Sequence, residues 1–438
     1  MNSKVDIVLG AQLGDEGKGR LVDILTPNYD IIARCNSGGN AGHKVVVNGY
    51  TYSFHLLPSG ILNKNCIAVI GNGCVINLDD LQNEIQNIEN IHPNNDLNII
   101  SRLIISNRAH IVLPLHKEAD SIRENIKKTE INNQSIGTTK QGIGPVYATK
   151  ALRVGLRMCD LLLPETDLYT KLNLLIDELC FLPNIKKPSI DNLITLLKEK
   201  SIFFKPMIQD TVTFLNNSLK KGKRILVEGA QATLLDVDFG VYPYCTATTC
   251  TIGAISTGLG ISPHYIGEIN YVIKTYTTRV GNGAFPTEQI NSIGQTLQNI
   301  GHEYGTTTGR KRRCGWLDLP MIKWSLLING IHNANICITK LDVLDTFTTI
   351  KLATKYLITN DDNAKVELES FPASLELLSR VEVVYETFTG WLTPTTNIRH
   401  YNDLPNNAKI YLNRIQEILQ IPIKWIGVGA ERDSIIHL

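Results

Sequence analysis

The sequence has no long apolar segment and almost no excess charge. No run of apolar residues approaches the roughly 18–20 needed to cross a bilayer, and the first residues lead into a strand without a signal-peptide pattern. The formal net charge is only +1, so overall electrostatics favour neither nucleic acid nor an anionic membrane as a partner. We therefore expect a cytoplasmic protein with no membrane partner and no nucleic-acid partner.

Patterned cysteines are also missing. The nine cysteines are scattered, and none lies in a Cys-x-x-Cys pair. Cys245 and Cys250 are the closest two, and their spacing is too loose for a metal site or a disulfide framework. The cysteines are therefore predicted to be reduced thiols, mostly in the core.

The sequence does contain enough apolar material for a large core. Of its 438 residues, 43% are hydrophobic and 19% are charged, as in ordinary globular proteins. Strand-like apolar runs alternate with helical segments, which predicts an α/β fold around a mostly parallel central β-sheet. Because repeats, low-complexity linkers and composition breaks are absent, residues 1–438 are predicted to form a single domain, with helical insertions around residues 160–220.

A glycine-rich loop follows the first apolar run. After the strand-like residues 5–9 comes Gly14-Asp15-Glu16-Gly17-Lys18-Gly19-Arg20. Backbone N–H groups at the start of a helix, with a lysine beside them, bind phosphate, and we favour this interpretation over a simple tight turn. The Ser or Thr that usually follows the lysine is replaced by Gly19, and Asp15 lies inside the loop. A group other than a hydroxyl would therefore hold the metal ion.

A second motif, Thr339-Lys340-Leu341-Asp342, follows the apolar residues 334–338. In phosphate-loop GTPases, a strand that ends in Asn/Thr-Lys-x-Asp reads guanine, because the carboxylate accepts two hydrogen bonds that adenine cannot donate. The same four letters also occur in ordinary surface turns. Together with the glycine-rich loop, they favour GTP over ATP.

Four further polar segments contain glycine and are candidates for ligand binding: residues 36–44, 136–145, 228–231 and 305–313. In the first, His43 is either an acid beside a phosphate or a structural histidine. In the last, the consecutive cations at 310–313 fit either a nucleic-acid patch or an anionic small molecule. The neutral chain favours the small molecule.

Taken in this order, the segments resemble those of the adenylosuccinate synthetases. The resemblance rests on residues 14–19, 40–43, 136–139, 142–145, 228–231, 307–310 and 339–342. They span nearly the whole chain, and their combination is specific. Three places depart from the residues usual in the family. Leu13 replaces Trp, Lys44 replaces Thr, and the late turn at residues 427–432 lacks the common proline.

The resemblance implies a GTP-dependent carbon–nitrogen ligase. It would join IMP and L-aspartate to adenylosuccinate and release GDP and phosphate, through a 6-phosphoryl-IMP intermediate. This is the first committed step from IMP to AMP in purine nucleotide synthesis. One Mg²⁺ per subunit is also implied, as is a homodimer in which Arg153 reaches across the interface to IMP. The alternative from another class is a regulatory phosphate-loop GTPase, which shares the phosphate loop and the guanine motif.

The resemblance further implies a role for individual residues. The catalytic residues would be Asp15, Lys18, His43 and Gln231, and Mg²⁺ would be held by Asp15 and the Gly42 carbonyl. GTP would contact Gly14, Asp15, Glu16, Gly17, Lys18, Gly19, Arg20, Gly42, His43, Lys44, Arg312, Lys340, Leu341, Asp342, Gly427, Val428 and Gly429. IMP would contact Asp15, Lys18, Asn40, Ala41, Gly42, His43, Thr139, Arg153, Gln231, Thr246 and Arg310. L-aspartate would contact Thr306, Thr307, Thr308, Gly309, Arg310, Lys311 and Arg312.

Overall fold

The computed structural model describes residues 4–47, 49–91, 97–129, 135–182, 185–305 and 309–438. The strands are β1 (Val5–Gly10), β2 (Ile31–Arg34), β3 (His43–Val47), β4 (Tyr50–Phe54), β5 (Ile67–Ile70), β6 (Val75–Ile76), β7 (Leu103–Ser106), β8 (His110–Ile111), β9 (Ile208–Gln209), β10 (Ile225–Glu228), β11 (Ile266–Lys274), β12 (Tyr276–Arg279), β13 (Arg313–Asp318), β14 (Ala334–Thr339), β15 (Thr349–Thr359), β16 (Lys365–Glu367), β17 (Glu382–Thr389), β18 (Ile423–Gly427) and β19 (Ile435–His437).

The α-helices of the same residues alternate with these strands. They are α1 (Lys18–Leu25), α2 (Leu78–Ile91), α3 (Ile99–Arg102), α4 (Pro114–Thr129), α5 (Ile143–Leu152), α6 (Glu165–Leu179), α7 (Ile190–Phe204), α8 (Thr211–Lys220), α9 (Gly253–Leu259), α10 (Ser292–Ile300), α11 (Leu319–Asn329), α12 (Leu375–Arg380) and α13 (Asn406–Leu419). None of the described helices is long and apolar enough to cross a membrane.

A ten-stranded sheet forms the centre of the molecule, in the order β19-β18-β14-β11-β1-β10-β2-β5-β7-β9. Every neighbouring pair is parallel except β18 and β19 at one edge, which are antiparallel. A smaller sheet contains β12, β13, β15, β16 and β17, and the pairs β3–β4 and β6–β8 are separate. The predicted α/β class and mostly parallel central sheet are confirmed.

The central strands are mostly apolar because both faces of the sheet are covered. In β1, Val5, Ile7 and Leu9 belong to the apolar cluster on one face, whereas Val8 belongs to the cluster on the other. Every residue of β1 and β10 is buried. Parallel strands with helices on both sides show this continuous apolar pattern.

Local sequence signals place most helices correctly. The side chain of Asn77 caps α2 by accepting a hydrogen bond from the Asp80 N–H at 3.0 Å, as its position before the apolar helix predicts. Helices α6, α7 and α8 occupy the region where helical insertions are predicted. The last helix, α13, begins at Asn406, directly after Pro405 at the N-cap position.

The parallel arrangement gathers the polar loops at one edge. The carboxyl ends of parallel neighbours lie together, and ligands of open α/β sheets bind there. β1 leads into the glycine-rich loop, β2 into residues 35–42, and β10 into residues 229–231. On the other side of β1, β11 and β14 end at Lys274 and Thr339.

Candidate functional site

A cavity of about 840 Å³ opens at this edge of the sheet. Of the predicted site residues, its lining includes Gly14, Asp15, Glu16, Gly17, Lys18, Gly19, Arg20, Asn40, Ala41, Gly42, His43, Lys44, Thr139, Gln231, Thr246, Arg310, Arg312, Lys340 and Gly429. The described residues Arg153, Gly309, Lys311, Leu341, Asp342, Gly427 and Val428 are outside this lining. Thr306, Thr307 and Thr308 lie outside the described residues.

The glycine-rich loop turns sharply before α1. Gly14 and Gly17 have φ angles of 89° and 92°, a region that side chains disfavour. Helix α1 then begins at Lys18, so its first N–H groups lie beside the loop. These N–H groups and the helix dipole form an anion site of the predicted kind.

Glu16 organises the loop from within. Its buried carboxylate accepts the N–H of Gly14 at 2.9 Å and pairs with Lys18 Nζ at 2.8 Å. The Glu16 carbonyl accepts the Thr339 hydroxyl at 2.7 Å, which joins the phosphate loop to the guanine motif. Lys18 therefore has a fixed counter-ion before any ligand is present.

The absence of Ser or Thr after the lysine has a steric reason. A Cβ atom at Gly19 would lie 2.9 Å from both His43 Cβ and Ser59 Oγ. Such contacts are too short for any side chain, so a hydroxyl-bearing residue would displace the histidine. With glycine at position 19 the loop lacks the usual metal-binding hydroxyl, and His43 occupies the space beside the loop.

His43 is held by a buried carboxylate that the sequence analysis did not single out. Its Nδ1 contacts Glu228 Oε1. Ser59 donates its hydroxyl to the same oxygen at 2.6 Å and its N–H to Glu228 Oε2 at 2.7 Å. With Nδ1 engaged by Glu228, Nε2 is the ring nitrogen left for a ligand in the cavity.

The surroundings set the charges of this pair. Burial lowers the pKa of His43, with smaller contributions in the same direction from Arg34 and Lys18, while Glu228 opposes them. Burial alone would raise the pKa of Glu228, but His43, Arg34 and Ser59 hold it at about 2. Glu228 is therefore a permanent carboxylate that orients the imidazole.

Asn40 and Gln231 meet through Ser37. Gln231 Nε2 donates to Ser37 Oγ at 2.7 Å, and that hydroxyl donates to Asn40 Oδ1, also at 2.7 Å. The loops after β2 and β10 are further joined by Asn36, whose Oδ1 accepts the Ala230 N–H at 3.0 Å. The two predicted IMP contacts thus lie side by side.

The threonine-containing loop is held by two acidic residues of α4. Glu124 accepts the N–H groups of Ile136 and Gly137 at 3.2 and 2.9 Å. Asp120 accepts the Gly142 N–H at 3.0 Å. Arg310 Nη2 donates to the Gly137 carbonyl at 2.8 Å, so this loop and the arginine-rich segment meet at the cavity.

Several predicted residues have a strained backbone. Asp15, Gln231, Lys340 and Arg153 have φ angles of 60°, 54°, 65° and 67°. Non-glycine residues in this region cost free energy and cluster at functional sites. These four are among twelve described non-glycine residues with a positive φ, so the strain is compatible with the predicted site but does not single it out.

The guanine motif lies where β14 ends. Lys340 Nζ donates to the Gly301 carbonyl at 2.7 Å. Asp342 Oδ1 is buried and has no hydrogen-bond partner among the described residues, and burial raises the pKa of this carboxyl. Asp342 therefore has an acceptor oxygen free for a donor such as guanine.

Arg20 joins the late turn at residues 427–429 to the phosphate loop. Its side chain donates to the Gly429 carbonyl and fills the space beside Gly427, where a Cβ atom would meet Arg20 Nη2 at 1.9 Å.

A chain of charges links Asp15 to the interior. Asp15 Oδ2 lies 2.8 Å from Arg312 Nε, and Arg312 Nη1 donates to Glu303 Oε2 at 2.6 Å. Glu303 is fully buried and also accepts Lys274 Nζ at 2.9 Å and the Tyr276 hydroxyl at 2.5 Å. The sequence analysis did not predict Glu303, Lys274 or Tyr276.

Two oxygen donors at the cavity fit the ligand chemistry of a magnesium ion. Among the described residues, no group of three or more His, Cys, Asp or Glu side chains could enclose a metal. Asp15 and Gly42 both line the cavity and offer carboxylate and carbonyl oxygen. Mg²⁺ prefers such hard oxygen ligands and usually completes its shell with phosphate and water.

Some of the residues that the sequence analysis missed have a local sequence signal, and others have none. Glu228 ends a strand inside a recognised motif, so its position could have suggested a role. Ser59, Glu124 and Glu303 carry no local signal, because their partners lie elsewhere in the chain.

Comparison with known proteins identifies relatives over the full length. Residues 7–436 match the family model of adenylosuccinate synthetase. The chain is 47% identical to adenylosuccinate synthetase of Drosophila grimshawi over 438 residues, covering 100% of this chain and 94% of the fly protein. The Drosophila melanogaster protein of the same name is 45% identical over 443 residues, covering 100% and 95%.

Solved structures give the same result. Fully ligated adenylosuccinate synthetase from Plasmodium falciparum superposes with a TM-score of 0.92 at 41% identity, covering 100% of both chains. Succinoaminodeoxyadenylate synthetase of cyanophage S-2L, bound to dGMP and dATP, gives a TM-score of 0.60 at 16% identity, covering 100% of this chain and 96% of that one. This second likeness supports the fold alone.

Proposed function

The chain belongs to the adenylosuccinate synthetase family, and on that premise we propose how its cavity residues join IMP to L-aspartate. The protein is a GTP-dependent ligase that forms adenylosuccinate, in purine biosynthesis. The observation that carries the proposed roles is the meeting of Asp15, His43, Gln231, Arg310 and Lys340 in one cavity. They come from five separate loops, which a simple nucleotide switch does not need.

Activation of IMP is the first proposed step. The 6-oxygen of IMP is a poor leaving group, so it is first converted to a phosphate ester. Asp15 removes the N1 proton, and the 6-oxygen then attacks the γ-phosphate of GTP to give 6-phosphoryl-IMP and GDP. Lys18 stabilises charge on the transferring group as a positioned cation, and His43 does so as a hydrogen-bond donor in the form that carries a proton on Nε2 as well as on Nδ1.

Two oxygen donors of the cavity are proposed to hold magnesium for this step. We propose that Asp15 and the Gly42 carbonyl would hold it, and that the bound ion would neutralise phosphate charge. The cavity-lining position of both residues supports this assignment.

The second step is displacement of the new phosphate by the amine of L-aspartate. Arg310 and Arg312 line the cavity and would bind the carboxylates of aspartate, because guanidinium groups hold carboxylates with paired hydrogen bonds. Thr306, Thr307, Thr308, Gly309 and Lys311 remain proposed contacts of the same segment. Gln231 would hold the purine while the amine attacks.

IMP binding is proposed to involve two subunits. Asn40, Thr139, Gln231 and Thr246 line the cavity and would contact IMP from within one subunit. Arg153 is exposed at the end of α5, outside the cavity lining, which supports a role for it in the active site of a partner copy. A homodimer would then complete each site.

We also propose a cytoplasmic location. All nine cysteines of the chain are free thiols, which is the state expected in a reducing compartment.

The alternative, a regulatory GTPase, predicts a different dependence on substrates. A switch hydrolyses GTP without IMP or aspartate, whereas this ligase should release phosphate from GTP only when both are present. The expected result is a rate near background in each assay that omits one substrate, measured as phosphate release and as adenylosuccinate absorbance. Phosphate release with GTP alone at the full rate would contradict the proposal.

Guanine specificity is assigned to Asp342. In Asp342→Asn, one donor of guanine faces an amide N–H, so GTP should bind more weakly by roughly 1–3 kcal/mol. Xanthosine triphosphate, which carries a 2-oxygen, should be used better than by the wild type. Competition assays with GTP, ATP and xanthosine triphosphate measure both changes.

Asp345→Asn is the matched control for this prediction. Its carboxylate accepts Trp391 Nε1 and the Thr395 N–H at 2.7 Å each, so the substitution should lower thermal stability and leave nucleotide preference unchanged. An unaltered GTP preference in Asp342→Asn would place guanine recognition elsewhere.

A further inference from the structure

A buried carboxylate behind the catalytic loop has no role in the steps above. Glu303 lies just after α10 and is fully buried. Two cations meet it, Lys274 at 2.9 Å and Arg312 at 2.6 Å, and Tyr276 donates a hydroxyl at 2.5 Å. A buried carboxylate costs much free energy unless it is fully paired, and here it is.

Of the partners of Glu303 named above, Arg312 alone lines the cavity. Lys274 is buried at the end of β11 and donates also to Thr278 at 2.6 Å. Arg312 lines the cavity instead and lies with Nε 2.8 Å from Asp15 Oδ2. Glu303 and Lys274 therefore form the buried part of the network, and Arg312 and Asp15 form the part that lines the cavity.

The guanidinium of Arg312 has two distinct edges. Its Nη1 donates to Glu303, whereas Nε makes no aligned hydrogen bond among the described residues although it lies beside Asp15. The backbone is fixed too, since the Arg312 N–H donates to the Glu303 carbonyl at 2.9 Å. Glu303 thus holds one edge of the guanidinium, and the Nε edge faces the Asp15 carboxylate at the cavity.

We propose that Glu303 is a positioning residue that fixes Arg312 beside Asp15 and thereby sets the geometry of phosphoryl transfer to IMP. The inference rests on the proposed function, because it concerns the step in which Asp15 acts. Glu303 lies outside the cavity lining. It acts by holding a planar cation at a fixed distance from the base and the transferring phosphate, and small displacements of such groups reduce rates steeply.

The first step can be measured without aspartate. Reversible transfer of the γ-phosphoryl group from GTP to IMP moves an ¹⁸O label from the β–γ bridge of GTP to the non-bridging positions of the β-phosphate. In the wild type this exchange should require IMP. In Glu303→Gln it should fall by about 10²-fold, and kcat should fall far more than the KM for IMP rises.

Two further variants separate positioning from charge balance. Glu303→Asp keeps the charge opposite Lys274 but withdraws the carboxylate from Arg312 by one methylene. Lys274→Met/Glu303→Gln removes both buried charges together. If Glu303 positions Arg312, exchange should be low in both variants. If Glu303 serves only as a counter-ion for Lys274, both should exchange at nearly the wild-type rate, which would overturn the inference.

Glu288→Gln is the matched control. Glu288 pairs with Arg313, the residue after Arg312, and neither side chain lines the cavity. This variant should keep wild-type exchange, and thermal melting should verify the fold of every variant. Normal exchange in Glu303→Gln would refute the role of Glu303. Absence of IMP-dependent exchange in the wild type would instead contradict the proposed function itself.

Discussion

Asp15→Asn should fold normally and lose nearly all ligase activity. An amide cannot take the N1 proton of IMP, and general acid–base groups contribute about 10²–10⁴-fold to rates. The expected loss is at the upper end of this range, because the same side chain is proposed to hold magnesium. Asparagine tolerates the left-handed backbone that Asp15 adopts, with φ 60°, so the loop should keep its shape.

The measurement is steady-state formation of adenylosuccinate, with circular dichroism and thermal melting to verify the fold. Asp80→Asn is the control, because Asp80 forms its one ion pair among the described residues with Lys117, at 2.9 Å, and lies outside the cavity lining. That variant should turn over at nearly the wild-type rate. Near-native turnover in Asp15→Asn would remove Asp15 from the mechanism.

The same variant tests whether the site is shared between subunits. Asparagine suits the backbone of Arg153, which has a φ of 67°. Arg153→Asn would remove the proposed phosphate contact, and a contact of this kind is worth roughly 1.5–3 kcal/mol, so the KM for IMP should rise about tenfold or more. Mixing it with Asp15→Asn should restore activity, because a mixed dimer has one site with both lesions and one with neither. No recovery after demonstrated subunit exchange would place Arg153 in its own subunit's site or in none.

His43→Asn should lower kcat by about 10²–10⁴-fold with little loss of stability. The reason is that His43 reaches the cavity through one ring nitrogen while Glu228 holds the other. Asparagine can keep a hydrogen bond to Glu228 but offers no second nitrogen to the phosphate. Single-turnover phosphate transfer to IMP is the measurement that isolates this effect.

Glu228→Gln is the matched variant for His43. It leaves the imidazole in place but removes the charge that orients it, so its loss of kcat should be smaller than that of His43→Asn. An equal or larger loss in Glu228→Gln would mean that the carboxylate, and not the imidazole, carries the effect.

Much of this protein is determined by local sequence. Apolar runs of the length of β1 and β10 predict buried parallel strands, because both faces of such a strand contact apolar neighbours. Glycine at positions 14 and 17 predicts a tight loop, because only glycine adopts those φ angles without cost. A parallel sheet also predicts that loops at the strand ends meet at one edge, since parallel strands bring their carboxyl ends together, whereas the individual cavity residues were predicted from the resemblance to the family.

The individual contacts to GTP, IMP and aspartate, the role of Arg153 and the bound magnesium remain to be tested by the variants above. The prediction for Thr306, Thr307 and Thr308 falls outside the described residues.

Only the tertiary structure shows which charged residues are buried together. His43 and Glu228 are 185 residues apart in sequence, and nothing local to either indicates the other. Glu303 reads as an ordinary polar residue after a helix until the fold encloses it between Lys274 and Arg312. The physical reason is that the charge and orientation of a buried group depend on the water it loses and the partners it gains. Both come from distant segments, whereas strand periodicity and glycine turns depend on neighbouring residues alone.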